Sequence, residues 1–315
     1  MAARFWRRLS CIRICHCTVS NLHRFHPNFG DHALATIVII GSVAWDDVVR
    51  LAEPLQPGAH LNGVLAGFRL GGGGANTAVA LAAAGHTVIL FAAVGRDAMG
   101  DALLVELAAA GVETRWISRL DQPTTHSLIL IDPMGERTVV NVARCEDEAL
   151  PEQLLAIPAE AVYVRSRRCD LGPLLAAKAS SAWVVAHLPP LEANVRPAHI
   201  LVASASDLEP NALQDPLALG HRVSGGQARW MVVTRGAAGA SAWSKDAQWE
   251  MPAETVQPVD TTGAGDAFAA GLLHALVNDQ PLTGALAVAV CFGTEATLWN
   301  TSGLPASAVQ RLLRQ

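Results

Sequence analysis

The sequence predicts an α/β fold: a central, mostly parallel sheet covered by helices on both faces, with a small β-sheet lid. Three observations predict it. Short runs of β-branched and other apolar residues recur along the chain, with helical stretches between them. Strands buried on both faces lose the in–out alternation of a half-exposed sheet, so such runs point to parallel strands. Two glycine-rich stretches each lead into an apolar helix. One pair of extended runs closes over a tight turn instead of crossing over.

Thr36–Ile40 is the first strand, ending at Gly41-Ser42. A glycine run then opens a helix of small residues, Asn76 to Ala84, followed by a strand over Val88–Val94. Asp101 to Ala110 reads as a helix that stops at Gly111. Ser127–Ile131 and Thr138–Val142 flank Asp132-Pro133-Met134-Gly135, which is the signature of a hairpin turn. Further strands are expected at Ala161–Val164, Trp183–Ala186, His199–Val202 and Trp230–Thr234, with a helix at Leu171–Ala179. Ala267–Val277 and Leu282–Leu298 give a helical C-terminal third. Alternating units of this kind build a sheet covered on both faces. The hairpin and the segment Asp46–Arg69 stand outside the alternation and are expected to form the lid, from about 46–70 and 123–143.

Composition bounds the rest. The chain has 315 residues, 51% of them hydrophobic and 16% charged, and no linker divides it. One domain over residues 35–315 is expected. A net charge of −5 gives no support for a nucleic-acid partner, since binding a phosphate backbone needs a basic surface. No apolar run reaches the ~18 residues of a membrane span. The longest candidate, Val79 to Val94, is interrupted by Gly85, His86 and Thr87. Three cysteines crowd the N-terminus and three are scattered, which is not a disulfide framework, and a cytoplasmic location is expected.

Residues 1–34 read differently. Arg4, Arg7, Arg8, Arg13 and Arg24 precede the first acidic residue, Asp31. The segment has the character of an organellar leader, and Cys11, Cys15, Cys17, His16 and His23 are metal-ligand types at no standard spacing. The simplest reading is a disordered extension or a start placed too far upstream.

The chemistry is concentrated in the two glycine stretches. Asp260-Thr261-Thr262-Gly263-Ala264-Gly265-Asp266 runs straight into an apolar helix. Free backbone N–H groups at a helix start bind phosphate without a cationic side chain, and residues without bulk let it approach. Asp266, in the first helical turn, is placed either to accept the proton of an alcohol or simply to cap the helix. The other stretch is Gly71-Gly72-Gly73-Gly74-Ala75-Asn76. It is either a ligand contact, with Asn76 both donor and acceptor, or a hinge with Asn76 as cap.

Together these stretches resemble the two signatures of the ribokinase-like, or pfkB, carbohydrate kinases. The resemblance runs over about residues 36–312. It includes Gly41-Ser42 with Asp46, Val94-Gly95-Arg96-Asp97 with Gly100, Gly135-Glu136-Arg137-Thr138, and Thr234-Arg235-Gly236-Ala237-Ala238-Gly239. It implies a ribokinase-like fold and an ATP- and Mg²⁺-dependent enzyme that phosphorylates a hydroxyl of a small sugar or sugar derivative. By resemblance Asp266 is the base, and Gly263, Ala264 and Gly265 form the anion hole. Asp46, Gly72, Gly73 and Asn76 are sugar contacts, and Thr234, Gly236 and Gly239 belong to the nucleotide site. Asp260 and Thr262 stand where some members hold a monovalent cation such as K⁺. Many members dimerise through the lid.

The sequence also departs from the family. Ser204 stands where many members have Asn, and Asp207 where they have Glu, in a motif that organises Mg²⁺; Glu209 is the other candidate. Arg165, Arg167 and Arg168 follow a strand and either face the cleft, which would suit an anionic substrate, or form a solvated basic loop. Two other functions remain open. A nucleoside kinase would need a base pocket, for which Trp45 and Phe68 are the available stackers. A non-catalytic sugar-binding pseudokinase is favoured by the departure at Ser204–Asp207 and opposed by the intact Gly263–Asp266 turn.

Overall fold

The computed structural model describes residues 33–147, 149–168, 170–189 and 195–314. The leader-like segment, with its cysteines and histidines, lies outside the described residues except for Ala33 and Leu34. Strand β1 (Thr36–Gly41) is followed by β2 (Ala44–Leu51) and β3 (Gly63–Gly71), then α1 (Gly73–Ala83), β4 (Thr87–Gly95) and α2 (Ala98–Ala109). Short strands β5 (Val112–Glu113) and β6 (Ile117–Leu120) precede the hairpin β7 (His126–Ile131) and β8 (Arg137–Ala143). Next come β9 (Ala161–Arg165), α3 (Gly172–Lys178), β10 (Trp183–His187), β11 (Ile200–Ser204), α4 (Pro216–Ser224) and β12 (Trp230–Thr234). The chain closes with β13 (Ala240–Trp243), β14 (Gln248–Met251), α5 (Ala264–Val277), α6 (Leu282–Ala296) and α7 (Ala306–Leu312).

Among the described residues, the main sheet has the order β14-β13-β12-β11-β10-β9-β1-β4-β5, with β6 also pairing β4. It is parallel from β12 to β5 and antiparallel only at β13 and β14. The uninterrupted apolar character of β1 has a direct cause. Ile37 and Ile39 face one core, with α1, α5, α6 and α7, while Val38 and Ile40 face a second core with α3 and α4. Burial on both sides removes any selection for a polar face. Helices α5 and α6 touch through small residues. A Cβ on Gly271 would stand 2.9 Å from the Val288 carbonyl oxygen, so glycine here sets the closeness of the pair.

The lid is a separate sheet, β3-β2-β7-β8, in which β2 and β7 are parallel and the outer pairs antiparallel. Its own core is small: Val48, Ile129 and Ile131. On β3 and β8, Val64, Leu65, Phe68, Val139, Val140 and Val142 are exposed. Among the described residues, no helix is long and apolar enough to cross a membrane.

The expected strands are all present within a residue or two of their bounds. Three helices begin three residues earlier than expected, at Gly73, Ala98 and Ala264. The glycine stretches are therefore not loops before helices but supply the first turns themselves. A first turn has few intrahelical bonds to lose, so glycine costs little there, and it lets the backbone approach its neighbours. Strands β13 and β14 were not expected, because Ser241, Gln248 and Glu250 break up their apolar pattern at the sheet edge.

Candidate active site

Helices α1 and α5 bring their N-terminal turns together. Gly263, the N-cap of α5, has the left-handed φ of 72°. A Cβ there would lie 1.8 Å from the Ser302 carbonyl oxygen, so no other residue fits. The N–H groups of Gly263 and Gly265 donate to no acceptor among the described residues, and the space beside Gly265 is open. Unpaired donors at the positive end of a helix form an anion site.

Asp266 is 8% exposed and sits in the first turn of α5 without capping it. Its Oδ2 instead accepts from Nδ2 of Asn76 at 2.9 Å, and its Oδ1 lies 3.4 Å from Nε of Arg165. The cap reading of Asp266 therefore does not describe its contacts. Nor is Asn76 the cap of α1, whose N-cap is Gly72. Thr77 closes the junction, its hydroxyl lying 2.9 Å from the Gly73 carbonyl oxygen and 3.2 Å from that of Asp266. Gly73 leaves the room for this: a Cβ would come within 2.9 Å of both Asp266 Oδ1 and Arg165 Nε.

The alternation of β2 separates two adjacent carboxylates. Asp46 points with Ala44 and Val48 to the buried face and is 4% exposed. Asp47 points to the other face, where it takes Trp45 Nε1 at 3.1 Å and pairs with His126 Nε2 at 2.9 Å. Burial pushes the Asp46 carboxyl from the ordinary 3.8 to about 6. A hydrogen bond from Ser127 opposes the rise, the charge of Asp266 adds to it, and Arg69 and His126 weaken it. Asp46 and Asp266 thus act on one another across one cleft.

A buried carboxylate beside unpaired helix-start amides, facing a second buried carboxylate under a lid, is the arrangement expected for phosphoryl transfer to an alcohol. The whole chain agrees. Residues 34–298 match the pfkB family carbohydrate kinases.

The chain belongs to that family.

It is 28% identical over 277 residues to a ribokinase of Bacillus subtilis, covering 80% of this chain and 89% of that protein. It is 29% identical over 252 residues to a fructokinase of Rhizobium leguminosarum bv. trifolii, covering 69% and 75%. The Arabidopsis thaliana ribokinase, complexed with ribose and ATP, has the same fold, with a TM-score of 0.71 over 90% of this chain and 100% of that one at 20% identity. As a pfkB carbohydrate kinase, the chain is an ATP-dependent phosphotransferase with an alcohol group as acceptor.

The other expected residues of this kinase fall in three places. Thr234 ends β12, in register with Ser204 of β11, and Gly236 and Gly239 bound the tight turn beyond it. They lie at the C-terminal ends of the sheet, where α/β folds bind ligands, on the β11–β12 side of Asp266. Asp207 sits in the short turn after β11 and lines a cavity of about 510 Å³ together with Gly73 and Arg165. Ser206 donates to Asp207 Oδ1 at 3.4 Å and lies 2.8 Å from Ser204 Oγ. Asp260 is fully buried behind the α5 turn, with Oδ2 paired to Arg69 Nη1 at 2.6 Å and Oδ1 accepting from the Thr262 N–H at 2.9 Å. The Thr262 hydroxyl is buried without a partner among the described residues.

The structure divides the arginine loop. Arg165 stands in the cleft against Asp266, whereas Arg168 pairs with Asp170 and donates to the carbonyls of Asp147 and Ala149. Arg69, Thr77, Ser127 and Arg196 were not foreseen. Each is linked to the site by contacts between segments distant in sequence, which leave no local pattern. Ser127 could have been found once the β2–β7 register was known, since it lies directly beside Asp46.

The raised Asp46 pKa has a consequence for stability. The folded state holds this proton more tightly than the unfolded chain, so the stabilisation is complete below pH 3.8 and is lost as the pH rises through about 6. Asp46→Asn removes that loss. Its melting temperature, read by calorimetry against the wild type, is expected to gain between pH 4 and pH 7. A difference that does not change with pH would show that Asp46 is not strained by burial.

Proposed function

We propose that Asp266 is the general base of sugar phosphorylation, that the Gly263-Ala264-Gly265 turn holds the transferred phosphoryl group, and that Mg²⁺ accompanies ATP. The observation that carries this reading is the Asp266 carboxylate, buried and held by Asn76 within one residue of unpaired amides. The acceptor oxygen attacks the γ-phosphorus and forms the new O–P bond as the bond to the β-phosphate bridging oxygen breaks. ADP leaves with that electron pair, and the hydroxyl proton passes to Asp266. The backbone N–H groups meet the charge on the γ-oxygens, a role that needs no reorganisation.

Asp46 accepts from sugar hydroxyls, Asn76 presents its carbonyl oxygen to them, and the backbone of Gly72 and Gly73 lies alongside. Thr234, Gly236 and Gly239 take the nucleotide. Mg²⁺ keeps most of its waters and commonly takes one or two protein carboxylates, so Asp207 with the Ser204 and Ser206 hydroxyls fits it despite departing from the usual pair. When bound it neutralises the phosphate charge. Trp45 and Phe68 stack on each other with centroids 3.8 Å apart, on the face of β2 opposite Asp46. No gap remains between them for a base, which favours a sugar over a nucleoside. The contacts of Asp266 favour a catalyst over a pseudokinase.

Three outcomes test this reading. Asp266→Asn is expected to lower kcat by about 10²–10⁴ while calorimetric sugar binding is retained; turnover near the wild-type rate would remove Asp266 as the base. K⁺ at Asp260 and Thr262 would compete with the guanidinium already 2.6 Å from Asp260. Turnover should therefore be the same in K⁺, Na⁺ and choline buffers, and a strong K⁺ activation would contradict this. The exposed apolar residues of β3 and β8 support a homodimer formed lid to lid. Sedimentation equilibrium should show a dimer that Leu65→Asp with Val142→Asp converts to monomer, and a monomeric wild type would end the idea.

A further inference from the structure

Two adjoining cavities open along the C-terminal ends of β1, β4, β9 and β10, and they share one wall. The wall is built from Ser42, Arg144, Arg165, Ser166 and Arg167. The cavity of about 510 Å³ carries one acidic residue, Asp207, against these three arginines, and the smaller one adds Glu146 and Asp147 together with Arg115 and Arg168. His187 has a pKa lowered to about 4 by burial and by Arg165, so it adds no charge near neutrality.

The arginines are built in, not draped over the surface. Arg165 is the last residue of β9, in register with Gly41 at the end of β1, and its side chain fills the space that Gly73 leaves open. The loop that follows is fixed from below. Arg196, 3% exposed, donates to the carbonyls of Ser166 and Arg168 and, at 3.2 Å, to that of His187. Arg144 arrives from the opposite direction, one residue beyond the lid strand β8. It forms no ion pair among the described residues.

Position in the sheet says which reactant faces this wall. Asp266 contacts Arg165 at the end of β9. The residues read as nucleotide contacts lie on one side, on β12. The smaller cavity extends to the other side, along Phe91–Ala93 of β4 and Ile117–Ser118 of β6. A phosphoryl group passed from the nucleotide to an alcohol oxygen beside Asp266 leaves that far side to the rest of the acceptor. Arg165 already has Asp266 as a partner, but a guanidinium such as that of Arg144, shut in a closing cleft with a neutral sugar, loses its water and gains no counter-charge, whereas a carboxylate or phosphate is met by forked N–H donors.

We infer that the acceptor is an anionic sugar derivative, bearing a carboxylate or a phosphate, whose charged group is held by Arg144, Arg165 and Arg167. This deepens the reading of the chain as a sugar kinase and rests on it for the direction of phosphoryl transfer.

The test uses the full chain and two matched series: ribose, ribonate and ribose 5-phosphate; and glucose, gluconate and glucose 6-phosphate. Turnover with ATP and Mg²⁺ and calorimetric binding without ATP are both measured. An anionic member is expected to exceed its neutral partner by about tenfold or more in kcat/KM and in affinity, as a charge-assisted contact provides. A preference for the carboxylate identifies sugar acids as the class, and a preference for the phosphate identifies sugar phosphates. Arg144→Gln and, separately, Arg165→Gln should each lower the ratio of anionic to neutral affinity about tenfold. Equal or tighter binding of the neutral sugars overturns the inference, and so does an anion preference that survives both substitutions. If no acceptor is phosphorylated, the kinase reading fails while the calorimetric ratios still decide this one. If only neutral sugars are phosphorylated, this one fails while the kinase reading stands.

Discussion

The hydrogen bond from Asn76 to Asp266 ties the first turns of two helices that come from opposite ends of the chain. Everything else in the site is placed relative to that junction. It aims the carboxylate away from its own helix, where an acidic residue in a first turn would ordinarily serve the backbone. It leaves the amides of Gly263 and Gly265 without partners among the described residues and thus available to an anion. Small residues make the approach feasible, since a Cβ at Gly73 would intrude on Asp266 itself. The glycine stretches matter here less for flexibility than for closeness, because their residues, apart from Gly71 at the end of β3, lie inside well-formed helical turns or at their caps.

The cleft also holds two carboxylates in different surroundings. Asp266 accepts from an amide donor and faces a guanidinium. Asp46 is buried on a lid strand and is pushed towards its neutral form, with Asp266 adding to that push. A carboxylate made costly by burial gains most from a partner that donates hydrogen bonds to it. The lid places Asp46 through strand alternation alone: the next residue along, Asp47, faces the opposite side and is occupied by Trp45 and His126.

Arginine does much of the electrostatic work in a chain that has only two lysines, Lys178 and Lys245. Arg69 spans from the lid to the wholly buried Asp260 behind the glycine turn of α5, so the lid and the turn are joined by an ion pair. Breaking a pair of this kind leaves an uncompensated buried charge, at a cost of about 3–5 kcal/mol. Arg196 fixes the loop after β9 by serving its carbonyl oxygens, and that loop presents Arg167 to the cavities beside Arg165, the last residue of β9. The same residue type thus plays three parts: bracing the lid, bracing the loop, and lining the wall where the acceptor is inferred to bind.

The sequence by itself determined the layered sheet, because β1 and its neighbours are apolar on both faces and such runs are stable only between two layers of helices. It also determined the glycine turn that opens α5, since the glycines, Asp266 and the helix they open are contiguous and their geometry is local. The lid was visible as a segment outside the alternation, although β2 and β3 were not legible as strands, their apolar pattern being broken by Asp46, Asp47 and Arg69. Only the tertiary structure decided which of Asp46 and Asp47 faces the cleft, that Arg165 reaches Asp266 while Arg168 ties down its own loop, and that Arg69 neutralises Asp260. Each of those outcomes depends on strand register or on contacts between segments far apart in the chain. Charge pairing of that kind follows distance in space, which spacing along the sequence does not encode.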